Sequence, residues 1–130
     1  MIVLLIDDED AVRRVLARGL QRFGYTVEEV RSAAEARARL AGPARFDLVV
    51  TDVRLGDGFG TRAVADAVTP GRPPAVLVVS GTSDEEAMEA KALLPSWVRS
   101  AFLAKPFTLE ELKGALGELM ESELGGAQGG

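Results

Sequence analysis

Four charged residues follow three separate apolar runs of the sequence, at the point where each run ends. They are Asp7, Asp8, Asp52 and Lys105. Runs of apolar and β-branched residues are typical of strands that are buried on both faces of a parallel sheet. In open α/β folds, ligands bind just beyond the carboxyl ends of such strands. The sequence therefore predicts that these side chains converge on one site, which we expect to bind a cation and to handle phosphate.

The acidic side chains of this set could hold a divalent cation. If Asp8 and Asp52 approach within ~4 Å, their repulsion is about 4 kcal/mol at an effective dielectric constant of about 20. Either a cation binds there or one carboxylate stays protonated. Hard oxygen ligands favour Mg²⁺ in a chain that has neither histidine nor cysteine. Such an ion would bring a phosphoryl group to Asp52 and cancel charge during its transfer.

A lysine closes the third run, and a serine closes a fourth. The chain has only three lysines against twelve arginines, so a lysine at position 105 stands out in the composition. A compact point charge suits pairing with one carboxylate or phosphoryl oxygen. Ser80 places a hydroxyl group at the same predicted edge, and Gly81 leaves space for the backbone beside it.

Five predicted strands alternate with five segments of helical pattern. The strands cover residues 2–6, 25–30, 46–51, 75–79 and 101–104. Capping-box patterns begin helices at Ser32, Ser83 and Thr108, and Pro95 must stop the fourth helix. Short alternating elements of this kind favour right-handed βαβ units. The sequence therefore predicts an α/β fold whose parallel sheet is covered by helices on both faces.

The first helix is predicted to be amphipathic. Its buried stripe comprises Val12, Val15, Leu16, Leu20 and Phe23. Its solvent-facing side comprises Arg13, Arg14, Arg18 and Arg22. We therefore expect these four arginines to be hydrated rather than packed against the core.

The composition excludes several classes of function. A chain of 130 residues supports one domain with a real core and leaves no room for a second catalytic domain. The formal net charge of −5 provides no general positive field, so we expect no contact with nucleic acid. Without cysteine and histidine there is no disulfide, no thiolate zinc site and no Ser-His catalysis. No stretch approaches the ~20 apolar residues of a membrane span, and we expect a cytoplasmic protein.

Taken together, the motifs resemble the receiver domain of two-component response regulators. They are Asp7-Asp8-Glu9, Asp52, Ser80 and Lys105-Pro106-Phe107. Each motif alone is weak, whereas their order, spacing and positions at strand ends are specific. The resemblance covers residues 2–122 and implies a flavodoxin-like, doubly wound, five-stranded parallel sheet of order 2-1-3-4-5 with five helices. We expect a receiver domain over 1–122, followed by a flexible glycine-rich tail or linker stub over 123–130.

The resemblance also implies roles for the acidic residues. Asp52 would accept a phosphoryl group from a phosphohistidine on a sensor histidine kinase or phosphotransfer protein. Mg²⁺ would be ligated by Asp8, Asp52 and the main-chain carbonyl of Arg54. Asp7 would act on the ion through a bound water molecule.

Further roles fall on the fourth and fifth strands. Lys105 would pair with phosphoryl oxygens, and its peptide bond to Pro106 would be cis. Ser80 would hydrogen-bond to the phosphoryl group in the active state. Phe102 would be buried in the core and turn inward as an aromatic switch. The added charge would bias the loop and helix after the fourth strand, and thereby the surface formed by helix 4, strand 5 and helix 5.

The chain departs from the family at several positions. Threonine is more usual where Ser80 stands, tyrosine is common where Phe102 stands, and proline is usual where Gly56 stands. Arg54 and Thr82 occupy positions that, in the family, tune the lifetime of the aspartyl phosphate. Residues 94–100 replace the usual turn before the fifth strand, and we expect Trp97 to pack under this irregular loop.

Two other functions remain open. A phosphatase or phosphotransferase of the haloacid dehalogenase type also phosphorylates an aspartate, but such enzymes resemble Asp-x-Asp-x-Thr, whereas Val53 and Arg54 follow Asp52 here. A degenerate receiver could act as a docking module without phosphorylation, although the intact acidic residues and Lys105 argue against it. We therefore expect a signalling switch and not an enzyme, with an unidentified downstream effector, no membrane contact, and a monomeric or weakly dimeric state.

Overall fold

The computed structural model describes residues 1–81 and 84–128, and the side chains of residues 1–81 and 85–120. The strands are β1 (Ile2–Ile6), β2 (Thr26–Val30), β3 (Leu48–Asp52), β4 (Arg54–Leu55), β5 (Gly58–Phe59), β6 (Ala75–Ser80) and β7 (Ser100–Ala104). The helices are α1 (Asp10–Arg22), α2 (Ala33–Ala41), α3 (Gly60–Ala67), α4 (Asp84–Ala92) and α5 (Leu109–Gln128).

Five of these strands form one parallel sheet. Its order is β2-β1-β3-β6-β7, and each neighbouring pair is parallel. Counted within this sheet alone, the order is 2-1-3-4-5, so the predicted doubly wound fold with five helices is confirmed. The strands β4 and β5 form a separate antiparallel pair across the turn at Gly56-Asp57. The sequence did not predict this hairpin, because strands of two residues are too short to show a period.

The sheet separates two hydrophobic clusters because successive side chains of a strand point to opposite faces. Val3 and Leu5 of β1 belong to the cluster shared with α1 and α5. Leu4 and Ile6 belong to the cluster shared with α2, α3 and α4. All four side chains are fully buried. The sheet is therefore held between helices on both faces. Its parallel strands place the carboxyl ends of β1, β3, β6 and β7 at one edge.

Two predictions for α1 were wrong. Arg13 is buried, with 9% of its surface exposed, whereas Val15 is 63% exposed. The Arg13 guanidinium donates hydrogen bonds to the carbonyl oxygen of Asp7 at 2.9 Å, to Asp10 at 2.8 Å and to Glu29 at 3.0 Å. These charge-assisted bonds offset the cost of removing the cation from water. The arginine therefore fastens α1 to the end of β1 instead of facing solvent.

The helix starts agree in part with the predicted caps. The Ser32 hydroxyl accepts a hydrogen bond from Glu35 N at 3.1 Å. Thr108 and Glu111 form a reciprocal capping box, with both bonds at 3.0 Å. The predicted cap at Ser83 lies outside the described residues, and α4 ends at Ala92, before Pro95. The backbone of α5 is helical to Gln128, and the predicted domain boundary at residue 122 stays a prediction.

Within the part of the chain that the structure describes, no helix is long and apolar enough to pass through a lipid bilayer.

Gly60 allows α3 to begin directly against β3. A Cβ atom at this position would overlap the Thr51 hydroxyl and lie 3.0 Å from the carbonyl oxygen of Asp52. We expect Gly60→Ala to lower the free energy of unfolding by about 2–3 kcal/mol, because the buried Thr51 side chain, α3 or β3 would have to move to relieve the overlap. Urea unfolding measures this change.

Gly114→Ala in α5 is the control, since a Cβ atom there would meet nothing within 4 Å among the described residues. It should stabilise the protein by about 0.5–1 kcal/mol. Similar effects of the two substitutions would contradict the close contact between α3 and β3.

Candidate functional site

Three carboxylates meet at the carboxyl edge of the sheet. Ile6 of β1 is paired in register with Thr51 of β3, so the residues that follow them lie side by side. Carboxylate oxygens of Asp7, Asp8 and Asp52 lie within 4.8 Å of one another. The convergence predicted from the sequence is therefore present in the fold.

Asp7 is the buried member of this cluster, with 1% of its surface exposed. Its Oδ1 accepts a hydrogen bond from Glu9 N at 2.9 Å, whereas its Oδ2 has no hydrogen-bond partner among the described residues. Burial raises the pKa of this carboxyl above its ordinary value, and the negative charges of Asp52 and Asp8 act in the same direction. Asp7 thus carries a buried oxygen that only a cation, a water molecule or a proton can satisfy.

Asp52 and Lys105 form the ion pair of the site. Asp52 Oδ1 accepts a hydrogen bond from Val53 N at 2.8 Å, and its Oδ2 lies 3.3 Å from Lys105 Nζ. The side chains are 12% and 22% exposed, respectively, so the pair is screened less than one on the surface. This arrangement leaves one ammonium group to balance three carboxylates.

The backbone around Lys105 fixes the direction of its side chain. The peptide bond between Lys105 and Pro106 is cis, as the resemblance implied. Lys105 N donates a hydrogen bond to the carbonyl oxygen of Ser80 at 2.8 Å, which continues the pairing of the two strands one residue beyond the end of β7. A Cβ atom at Gly81 would lie 3.6 Å from Lys105 Cδ, so the lysine stem passes close over this glycine.

Asp8 and Arg54 connect the cluster to the neighbouring loop. Asp8 is exposed, and its Oδ2 accepts a hydrogen bond from Gly56 N at 3.0 Å. The Arg54 side chain donates hydrogen bonds to Glu86 on α4 at 2.6 and 3.0 Å, and its guanidinium lies 5.0 Å from the centre of the Phe59 ring. The side chain of Arg54 therefore reaches toward α4 and not into the acidic cluster.

Ser80 and Phe102 lie on the same face of the sheet. Val78 is paired with Phe102 and Ser80 with Ala104, and alternate residues of a strand share a face. Ser80 is buried, whereas Phe102 is only partly buried against the cluster beneath α2, α3 and α4. The expectation that Phe102 is buried in the core is therefore met only in part, because its strand lies at the edge of the sheet.

The donor set fits a hard divalent cation. Three carboxylates offer oxygen atoms within reach of one ion, and the buried Asp7 carries an oxygen without a partner among the described residues. Mg²⁺ is bound in proteins through one or two carboxylates, water and substrate phosphates. The residues present are thus chemically suited to Mg²⁺.

Comparison with known proteins agrees with this geometry. The sequence profile of the response regulator receiver domain matches residues 3–117. The chain belongs to the response regulator receiver domain family. Receiver domains are signalling modules that interact with histidine kinases and with downstream effectors.

Several curated proteins contain a similar segment. The chain is 36% identical to part of the sensor kinase CckA of Brucella abortus, over 93% of this chain and 13% of the kinase. It is 34% identical to part of protein PetR of Rhodobacter capsulatus, over 85% of this chain and 44% of that protein. The receiver domain therefore spans less than half the length of these relatives.

Solved structures show the same fold. The chemotaxis protein CheY4 of Vibrio cholerae is 30% identical, with a TM-score of 0.76 over 91% of this chain and 97% of that one. A response regulator from Burkholderia pseudomallei is 31% identical, with a TM-score of 0.72 over 97% of this chain and 72% of that one. The structure of the Burkholderia protein contains a phosphorylated aspartic acid, a calcium ion and citrate.

The sequence patterns located the residues at the strand ends but not the residues that hold them in place. Arg13 holds the main chain at Asp7, and Glu86 holds the side chain of Arg54. Asp57 accepts hydrogen bonds from the first residues of α2. No local pattern identifies these three residues, because each contacts a partner on another element. Thr82, to which a tuning role was assigned, lies outside the described residues.

The segment before β7 corrects another expectation. Trp97 is 41% exposed, whereas Val98 beside it is buried. A hydrogen bond from Val98 N to the carbonyl oxygen of Pro95 at 3.0 Å closes the turn. Val98 is therefore the residue that packs under this loop, and Trp97 is not.

The raised pKa of Asp7 predicts how stability depends on pH. Its ordinary value is 3.8. The folded protein holds this proton more tightly than the unfolded chain does. The resulting contribution to the free energy of unfolding is fully present below the ordinary pKa and is lost as the pH rises through the higher folded-state pKa. Asp7→Asn removes this loss. In EDTA, we expect its free energy of unfolding to exceed that of wild type by a margin that grows with pH and then levels off.

Urea unfolding from about pH 4 to pH 7 measures this margin, and the asparagine still offers an oxygen to Glu9 N. If the free energies of unfolding of the two proteins differed by a constant amount across this range, the charge on Asp7 would not destabilise the folded state.

Proposed function

We propose that this receiver domain is a phosphoryl-accepting switch in which Asp52 is the acceptor. The observation that supports this role best is the contact of Asp52 Oδ2 with Lys105 Nζ at 3.3 Å, inside a cluster of three carboxylates. Asp52 is the only one of the three that contacts the ammonium group in the described residues. An incoming phosphoryl group would therefore find both an oxygen nucleophile and a cation at one position.

The transfer would be an in-line displacement. A carboxylate oxygen of Asp52 forms a bond to phosphorus as the bond between phosphorus and the histidine nitrogen of a partner kinase or phosphotransfer protein breaks. The electron pair of that bond returns to the imidazole, which takes up a proton. Lys105 pairs with the phosphoryl oxygens, whose charge would otherwise repel the carboxylates. This lysine then remains beside the aspartyl phosphate.

Mg²⁺ would be held by Asp8, Asp52 and the main-chain carbonyl of Arg54, with Asp7 acting through a water molecule. When bound, the ion would supply positive charge against the transferring phosphoryl oxygens. Without it, one ammonium group faces three carboxylates and an incoming dianion. The carboxylates themselves contribute by fixing the position of the ion, since Asp7 and Asp8 are each held by a backbone N–H.

The phosphorylated state would be read on the α4 side of the sheet. Ser80 is buried at the end of β6 and would hydrogen-bond to the phosphoryl group. Phe102 lies two residues before Ala104 on the same face, partly buried against the core, and would turn inward as the aromatic switch. The ion pair between Arg54 and Glu86 links the loop that follows Asp52 directly to α4. Phosphorylation would thus alter the surface formed by α4, β7 and α5.

The partners would be a sensor histidine kinase or phosphotransfer protein and an effector that reads this surface. We propose a cytoplasmic, monomeric or weakly dimeric protein that makes no contact with nucleic acid or membrane through this chain.

Phosphorylation can be tested directly with an acyl phosphate donor. With Mg²⁺, we expect the intact mass of the wild-type protein to rise by one phosphoryl group, and Asp52→Asn to show no gain. Asp66→Asn removes an exposed carboxylate outside the cluster, and should gain the phosphoryl group as wild type does. Lys105→Met should reduce the rate of phosphorylation by at least tenfold, because the pairing ammonium is lost.

Absence of any mass gain in wild type, with Mg²⁺ binding intact, would favour the docking module that works without phosphorylation. Multiple turnover of a phosphate substrate would instead indicate an enzyme.

A further inference from the structure

The loop that follows Asp52 carries two glycines around one aspartate. Gly56 and Gly58 flank Asp57, and the φ angle of Gly58 is +132°. Glycine gives the backbone more freedom than any other residue, so a loop of this composition is not rigid by itself. The proposed metal ligand of this loop is the main-chain carbonyl of Arg54, two residues before Gly56. The position of that carbonyl therefore depends on what holds the loop.

Asp57 ties this loop to a different element. Its carboxylate accepts hydrogen bonds from Ala33 N at 2.8 Å and from Ala34 N at 3.0 Å. These are the first two N–H groups of α2, which have no partner within the helix. The same two hydrogen bonds lower the pKa of Asp57 below its ordinary value, so the carboxylate is charged at neutral pH. The negative charge also suits the amino end of a helix.

A second contact joins the loop to the acidic cluster. Gly56 N donates a hydrogen bond to Asp8 Oδ2 at 3.0 Å. The loop is thus held on one side by α2, through Asp57, and on the other side by a proposed metal ligand, through Gly56. Adjacent residues make these two contacts, so loss of the first frees the second to move.

We propose that Asp57 is a positioning residue for the metal site, holding the loop of residues 54–58 against α2 so that Gly56 N and the Arg54 carbonyl are fixed relative to Asp8. This inference rests on the proposed function, because it assumes that Mg²⁺ binds at the acidic cluster. It adds a residue that contacts neither the ion nor the phosphoryl group.

Ser32 provides a matched control at the same helix end. Its hydroxyl caps Glu35 N, the third N–H group of α2, and this contact does not involve the loop. Asp57→Ala and Ser32→Ala each remove a cap from α2, and both should therefore lower the urea midpoint. Only Asp57→Ala releases the loop. A purely structural role of Asp57 would make the two variants alike.

The test is the Mg²⁺ affinity of each folded variant, measured by titration in buffer free of phosphate. We expect Asp57→Ala to bind Mg²⁺ about fivefold to tenfold more weakly than wild type, and Ser32→Ala to bind within about twofold of it. Amide hydrogen exchange at Gly56, measured without Mg²⁺, should accelerate in Asp57→Ala alone. Equal Mg²⁺ affinity in the two variants would overturn the proposal.

A second substitution should restore part of the loss. A Cβ atom at Gly56 would lie 3.8 Å from Asp8 Oδ2, which is an ordinary contact, and alanine keeps the N–H group. Gly56→Ala reduces the freedom of the loop, so in the Asp57→Ala background it should recover at least half of the lost affinity on a logarithmic scale. No recovery would overturn the view that loop freedom causes the loss.

The two proposals fail in different ways. A wild-type protein that does not bind Mg²⁺ would overturn the proposed metal site and this inference with it. A wild-type protein that binds Mg²⁺, with an Asp57→Ala variant that binds equally well, would overturn the inference alone.

Discussion

Crowding of negative charge at one edge of the sheet is the constraint on which the rest of this structure depends. Three carboxylates have oxygens within 4.8 Å of one another, and among the described residues one ammonium group, that of Lys105, contacts one of them, Asp52. Two unit charges ~4 Å apart repel by about 4 kcal/mol at an effective dielectric constant of about 20. Such a cluster persists only if the surrounding fold holds it, and it then presents a ready site for a cation and a phosphoryl group.

The surrounding fold holds the three aspartates through hydrogen bonds that involve the backbone. Arg13 binds the carbonyl oxygen of Asp7, Gly56 N binds Asp8, and Val53 N binds Asp52. These contacts come from α1 and from the segment that follows β3. The acidic site is therefore supported by α1 on one face of the sheet and by the segment that follows β3 at its edge. A substitution far from the cluster can alter the site by loosening one of these supports.

The sequence predicted what depends on local pattern. Apolar runs located the strands, and the residues after them located the cluster, because strand ends in a parallel sheet share an edge. It could not predict contacts between distant elements. Arg13 looked like a surface residue because nothing local indicates its bonds to Asp7 and Glu29. Trp97 was expected to pack and Val98 packs instead, since an irregular loop has no period to read.

Stability as a function of Mg²⁺ concentration tests the account most directly. If the ion relieves the repulsion in the cluster, the free energy of unfolding should rise by about 1.4 kcal/mol for each tenfold increase in Mg²⁺ above the dissociation constant. Asp8→Asn should shift this rise to higher Mg²⁺ concentration, and NaCl at equal ionic strength should not reproduce it. A free energy of unfolding that is the same in Mg²⁺ and in NaCl would contradict the claim that this cluster is a cation site.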